Sequence, residues 1–224
     1  LIKSFDYLQN FFTFDANNKC MIDSTLPTEE RIKEAAKKVF LEKGYDGTTT
    51  RDIAREAGLN MALLNYYFRN KEKLFMQIYT ELASNYFKEL IDLMNQPMGL
   101  KEKIGAMMDN HFQRLGQNPH LAVFISNELQ RNPETMCKAL HMQKGIENTL
   151  FEKQWREAVD KGEVRAIEFI HLPAFMIGNI EHLFDSQQLT MQVWNMNEEQ
   201  YQVYAQNHFA LVKDMVIQFL FTTS

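Results

Sequence analysis

Apolar residues recur at helical spacing along most of the chain, and the first clear run starts at Thr28. Ile32, Ala35, Ala36, Val39 and Phe40 fall at i, i+3, i+4, i+7 and i+8, one face of a helix. Thr28 is the expected N-cap, Glu29 and Glu30 suit the first turn, and Gly44 ends the run. Tyr45 follows that glycine and is placed to fold back on the stripe. Thr48-Thr49-Thr50 then offers caps for a second helix, with Asp52 three residues beyond Thr49 as in a capping box. Ile53, Ala54 and Ala57 form its small buried side, and Gly58 ends it in a turn needing positive φ. Asn60 caps a third helix buried at Leu64 and Phe68, with Ala62 or Leu63 near its start. Asn70 caps a fourth, Lys71–Met94, in which Leu74, Ile78, Leu82, Tyr86, Leu90 and Leu93 recur at helical spacing. It spans about 36 Å at roughly 1.5 Å per residue, long enough to join two parts of the protein mechanically.

Further helices follow, separated by prolines and polar turns. The pattern predicts them at 100–116, 119–132, 133–161, 171–189 and 198–221. Pro173 is tolerable in the first turn of the fourth of these. No stretch alternates with period two, no glycine loop of nucleotide-binding type occurs, and no internal repeat is visible. The fold class expected is all-α. Residues 1–24 are aromatic-rich (Phe5, Tyr7, Leu8, Phe11, Phe12, Phe14), and they read either as an accessory helix or as sequence upstream of a start at Met21.

Composition narrows the class. Hydrophobic residues are 45% and charged residues 24%, too apolar for a disordered chain. Net charge is −5 but unevenly spread: residues 27–75 hold 10 Lys/Arg against 8 Asp/Glu, and the remainder 14 against 21. An acidic body with a mildly basic end fits a protein touching phosphate through one small surface. Cys20 and Cys137 form neither a disulfide framework nor a zinc site, so reduced cytoplasmic thiols are expected. No apolar run approaches the roughly 18 residues of a membrane span. The opening segment carries Asp6 and lacks a small-residue cleavage site, so no secretory signal is expected.

The stretch from Thr49 to Lys71, two short helices joined at Gly58, is a familiar way of presenting a helix to the DNA major groove. Three pieces of sequence carry a family resemblance: FLEKGYDGTT, then TRDIAREAGLN, then the L-N-Y-Y-F-x-N-K-E-x-L run from Leu64 to Leu74. The segment resembles the DNA-binding domain of TetR/AcrR bacterial transcriptional regulators over roughly residues 28–75. The resemblance implies a helix-turn-helix DNA-binding domain at 25–75 and a helical effector-binding and dimerisation domain at 76–224, with 1–24 left as an N-terminal extension of unknown role. It carries base-facing roles to Asn60, Met61, Ala62, Leu63 and Asn65, and phosphate contacts to Thr50, Arg51, Tyr66, Tyr67 and Lys71. Asn65 could pair bidentately with adenine, while Met61 and Leu63 could only pack on thymine methyls. Members of the family often carry a small hydroxyl at the position of Leu63 and a Tyr at that of Asn65, so the operator sequence does not carry over.

The same resemblance implies a homodimer on a near-palindromic double-stranded operator, working in the bacterial cytoplasm on the nucleoid. It also implies repression relieved by a small-molecule effector of unknown identity. Pro173–Leu189 and Glu198–Phe221 are the dimer candidates, because both carry broad apolar faces. Met107, His111, Phe112, Phe124, Trp155 and Met176 are the candidate pocket lining. A filled body core would instead suit a helical adaptor or nucleoid-associated DNA-binding protein without a ligand. Glu168 and His171 stand as Glu-x-x-His, a unit di-iron bundles use twice, but no second copy occurs and no metal or other cofactor is expected. No nucleophile–base pair is visible, so an enzyme is not expected.

Overall fold

The computed structural model of the protein describes residues 26–140 and 146–221, so the aromatic segment at 1–24 lies outside the described residues. Among those residues every regular element is helical. The chain forms two compact units. The first runs to Phe87 and takes in His120–Met142; the second comprises Lys88–Pro119 and Gln143–Ser224.

In the first unit, α1 (Thr28–Gly47) buries Ile32, Ala35, Ala36 and Phe40 completely, the stripe its spacing predicts. Thr28 is not its cap: Pro27 holds that position without a side-chain bond, and Thr28 is the first helical residue. Gly44 breaks the helical path with φ 67° and ψ −178°, and one irregular turn carries the chain to Gly47. The Thr48 hydroxyl donates to Gly44 O at 2.7 Å and closes that turn. The short helices α2 (Thr50–Glu56) and α3 (Met61–Tyr67) follow. Next comes α4 (Lys71–Met94), opened by a bond from Glu72 N–H to Asn70 Oδ1 at 2.7 Å.

Leu74, Phe75, Ile78, Tyr79 and Ala83 of α4 complete the core of this unit. Later sequence joins it as α6 (Pro119–Arg131) and α7 (Pro133–Ala139), which contribute Phe124, Ile125 and Met136. Phe124 meets Phe75 and Tyr79 edge-on, with ring centroids 5.9 and 5.7 Å apart. The Tyr79 hydroxyl donates to Ile125 O at 3.2 Å, so its polar end is satisfied inside the core.

The second unit packs α5 (Leu100–Gln117) against α8 (Leu150–Asp160), α9 (Asn179–Asp185) and α11 (Glu198–Phe221). Its core includes Ile104, Met108, Trp155, Leu172, Ile180 and Leu220. The Trp155 indole donates to Ile167 O, and the Tyr201 hydroxyl to Leu183 O. Lys103 is wholly buried, with Nζ donating to Met94 O at 2.9 Å, and burial lowers its pKa.

Two helices expected as single rods are divided. The predicted 133–161 helix, which crosses residues outside the described set, is α7 and α8. Asn148 turns left-handed at φ 64°, and the Thr149 side chain accepts from Glu152 N–H to start α8 afresh. The predicted 171–189 helix is a 3₁₀ turn at Phe169–His171, a π-helical turn at Ala174–Gly178, and α9. It stops at Ser186, after which α10 (Gln187–Trp194) begins. Pro173 supplies no N–H to a regular ladder and Gly178 no side chain, which favours a local change of register between them.

Candidate nucleic-acid interface

The helix pair that would face DNA has little apolar surface of its own. Ile53, Ala54 and Leu64 are its fully buried positions, with Ala57 in the turn between. Leu59, Met61 and Phe68 pack against the same core, and hydrogen bonds at the helix ends fix the turns. At the start of α2 the capping box is complete. Asp52 N–H donates to Thr49 Oγ1 and Thr49 N–H to Asp52 Oδ2, both at 3.1 Å. The Thr49 hydroxyl and backbone N–H, with Lys43 3.2 Å away, hold the Asp52 carboxyl down to about 2. At the other end, Gly58 sits at φ 64° and Leu59 N–H donates back to Ala54 O at 2.9 Å. Arg31 reaches across from α1 and donates from Nη2 to Ala57 O at 2.8 Å.

Asn60 caps α3 by accepting Leu63 N–H at 2.8 Å. Leu64 anchors the helix, and at 100° per residue Ala62 and Tyr66 lie opposite that anchor. Asn60, Ala62, Asn65, Tyr66 and Tyr67 are exposed, as is Arg51 on α2; Met61, Leu63 and Thr50 are half-buried. Tyr66 and Tyr67 meet edge-on with centroids 5.3 Å apart. The structure thus turns Ala62 and Tyr66 away from the core and leaves Asn60, Asn65 and Tyr67 exposed, while Met61 and Leu63, also expected to read bases, are half-buried.

Lys71 is placed differently from its neighbours. Its ammonium donates to Tyr45 O and Thr48 O, both at 2.9 Å, and lies 4.0 Å from the Tyr45 ring centroid. Sequence reasoning missed the partners around it. Glu128 of α6 accepts Tyr45 N–H at 3.2 Å, and Arg131 pairs with Asp46 at 2.6 Å and lies 4.9 Å from the Tyr45 ring. The only local clue is an acidic and a basic residue at i, i+3 on a largely apolar helix. Arg31, on the edge of the first apolar stripe, carried no signal at all.

Of the candidate effector residues, Met107, His111, Phe112, Trp155 and Met176 belong to the second unit, and Phe124 is part of the first unit's core. Phe112 stacks on Phe209 at 4.2 Å between centroids, with Phe184 tilted against it at 5.8 Å. His111 Nε2 lies 3.8 Å from Glu181 Oε1. Burial, helped by Arg114, lowers the His111 pKa to about 4, and burial with Asp185 nearby raises that of Glu181. Met176 sits in the π-helical turn, a feature often found at functional sites. His171 is exposed, and no group of three metal-ligating side chains occurs among the described residues.

A capped helix pair with its outer surface clear of packing, joined to a helical body, defines a helix-turn-helix regulator. Comparison with known proteins gives the family. Residues 32–78 match the bacterial regulatory proteins of the tetR family, and residues 79–217 match the C-terminal region of YsiA-like proteins. The chain is 27% identical to the fatty acid metabolism regulator protein of Bacillus subtilis over 83% of its own length and 92% of that protein's. Its fold is shared with the transcriptional regulator FadR of Bacillus subtilis, solved with stearoyl-CoA. There the TM-score is 0.55 and identity 21%, covering 82% of this chain and 96% of that one. AibR, solved with isovaleryl coenzyme A and operator DNA, superimposes with TM-score 0.59 at 16% identity, covering 88% and 100%. The chain belongs to the TetR family of bacterial transcriptional regulators. It is a DNA-binding transcriptional regulator of that family. No helix among the described residues is long and apolar enough to cross a membrane.

Proposed function

We propose that the protein is a homodimeric repressor whose effector is an acyl-coenzyme A thioester. The observation that carries this reading is that the sensing half matches as well as the head. Residues 79–217 fit the YsiA-like C-terminal region, and the Bacillus subtilis fatty acid metabolism regulator aligns over 92% of its length. Two proteins of the same fold were solved with acyl-coenzyme A compounds. Within the second unit, the Phe112, Phe184 and Phe209 rings with Met107 and Met176 offer soft apolar surface for an acyl chain. His111 and Glu181 supply a polar end to that surface.

The head reads DNA through α3. Asn60, Ala62, Asn65 and the half-buried Met61 and Leu63 face base edges, and Thr50, Arg51, Tyr66 and Tyr67 hold phosphate. Lys71, bonded to two carbonyls and set over the Tyr45 ring, chiefly braces the turn between α1 and α2. Dimerisation is supported by an apolar surface larger than isolated side chains explain. Leu211, Met215 and Phe219 stand at i, i+4 and i+8 on α11, all exposed, with Phe175 5.2 Å from Phe219 between ring centroids. Two copies related by a two-fold axis through this face would present two heads to half-sites about one helical turn, roughly 34 Å, apart. Such a repressor works in the cytoplasm on the nucleoid.

Isothermal titration with stearoyl-CoA, isovaleryl-CoA, coenzyme A and free stearate tests the effector assignment. Saturable binding of an acyl-coenzyme A, with coenzyme A alone and stearate at least tenfold weaker, is the expected result. Equal binding of free stearate, or no binding of any thioester, would remove the assignment.

A further inference from the structure

We propose that Arg31 is a positioning residue for the reading helix, acting through the Ala57 carbonyl to fix the angle between α2 and α3. The guanidinium comes from α1, 26 residues away in sequence, and donates at 2.8 Å to the carbonyl of the residue just before Gly58. That carbonyl lies in the turn about which α3 would swing. A cation there also meets the negative end of the α2 dipole, and a charge-assisted bond is stronger than a neutral one.

The rest of the Arg31 environment argues for a role beyond filling space. Its Nε is buried without a hydrogen-bond partner among the described residues. A methionine of similar length would fill the same gap without an unpaired N–H. What the guanidinium adds is the bond at the turn. The other bonds at the Gly58 turn, Gly58 N–H to Arg55 O and Leu59 N–H to Ala54 O, stay within α2 and its end, whereas the Arg31 bond ties the turn to α1.

Small errors at this hinge matter. Asn65 lies four residues beyond the start of α3 at Met61, about 6 Å along the helix at 1.5 Å per residue. A tilt of about 10° would shift it by roughly 1 Å, against a tolerance of about 0.5 Å for a directed contact. Contacts to phosphate through flexible side chains tolerate such a shift. Loss of Arg31 therefore lowers discrimination more than it lowers general DNA affinity.

The inference rests on α3 being the reading helix, and the test separates the two. The probes are a duplex selected from random-sequence DNA by the wild-type full-length protein, and an unselected duplex of equal length. Arg31→Met is expected to fold, by circular dichroism, and to lose about tenfold in the ratio of affinities for the two duplexes. Arg31→Lys, which can still place one N–H on the carbonyl, is expected to lose two- to fourfold (about, by partial retention of the charge-assisted bond). If the methionine variant does not fold, the lysine variant decides on the same ratio. Parallel loss on both duplexes, leaving the ratio unchanged in the folded variant, overturns the positioning role in favour of a structural one. Asn65→Ala is measured alongside: an unchanged ratio there counts against α3 as reader, whatever Arg31 does.

Discussion

Replacing Lys71 by methionine separates two roles that the geometry offers it. The substitution keeps the stem and deletes the ammonium, leaving Tyr45 O and Thr48 O without their 2.9 Å donor. Hydrogen bonds from a charged group are worth about 1.5–3 kcal/mol each when fully buried. Lys71 is half-buried, so water replaces part of each, and about 2 kcal/mol for the pair is a fair discount. Loss of the cation over the Tyr45 ring adds roughly 0.5 kcal/mol. For a chain of this size, that total lowers the melting temperature by on the order of 5–10 °C. Calorimetry measures the stability, and fluorescence anisotropy between 50 and 200 mM salt measures the DNA term. If Lys71 chiefly braces the turn, the melting temperature falls and the slope of log affinity against log salt stays the same. A lysine whose main partner is phosphate would instead lower that slope by about one. An unchanged melting temperature with a reduced slope would refute the bracing argument.

Three further substitutions test other parts of the account. Gly58→Ala meets no crowding but places a Cβ at φ 64°, so it is expected to cost about 1 kcal/mol by backbone strain. A thermal melt showing no loss would mean the turn is not held left-handed. His111 is neutral in the fold down to about pH 4, whereas the unfolded chain takes the proton near 6.5. Stability is thus complete above pH 6.5 and lost as the pH falls towards 4, by up to about 3 kcal/mol. Glu181, which faces His111 with a raised pKa, offsets part of this by taking up a proton more readily in the fold; Arg114 and Asp185 are the other nearby charges. Melting temperatures of wild type and His111→Gln between pH 7 and 4 should converge as the pH falls, and parallel curves would contradict the assignment. Leu211→Asp places a charge on the exposed apolar face of α11. Sedimentation should show monomer, with affinity for a two-half-site duplex reduced at least tenfold; an intact dimer would exclude that face.

What the sequence made legible was local. The Thr49–Asp52 box, the Asn60 cap and the left-handed Gly58 each depend on residues within three or four positions, and all are formed as read. The stripe of α1 and the length of α4 follow from periodicity alone. Bonds that cross long stretches of chain left no such trace. Glu128 reaches Tyr45 over 83 residues and Arg131 reaches Asp46 over 85, so nothing in the spacing of α6 announces that it packs with the head. The π-helical turn at Ala174–Gly178 was also hidden, because a change of register preserves an apolar helical pattern over so few residues. Among the site residues, exposure on α3 could be read from the anchor at Leu64. Lys71 could not, since its carbonyl partners contribute backbone and leave no sequence mark.

The most direct test of the account is release from DNA. Full-length protein bound to its selected duplex is titrated with stearoyl-CoA and isovaleryl-CoA while anisotropy reports the bound fraction. A coupling of about 1–3 kcal/mol between effector and operator sites corresponds to a loss of affinity of roughly 5- to 150-fold. The expected result is a loss in that range with at least one thioester and none with coenzyme A alone. Unchanged operator affinity at saturating concentrations of a thioester shown to bind would contradict the claim that this sensor controls this head.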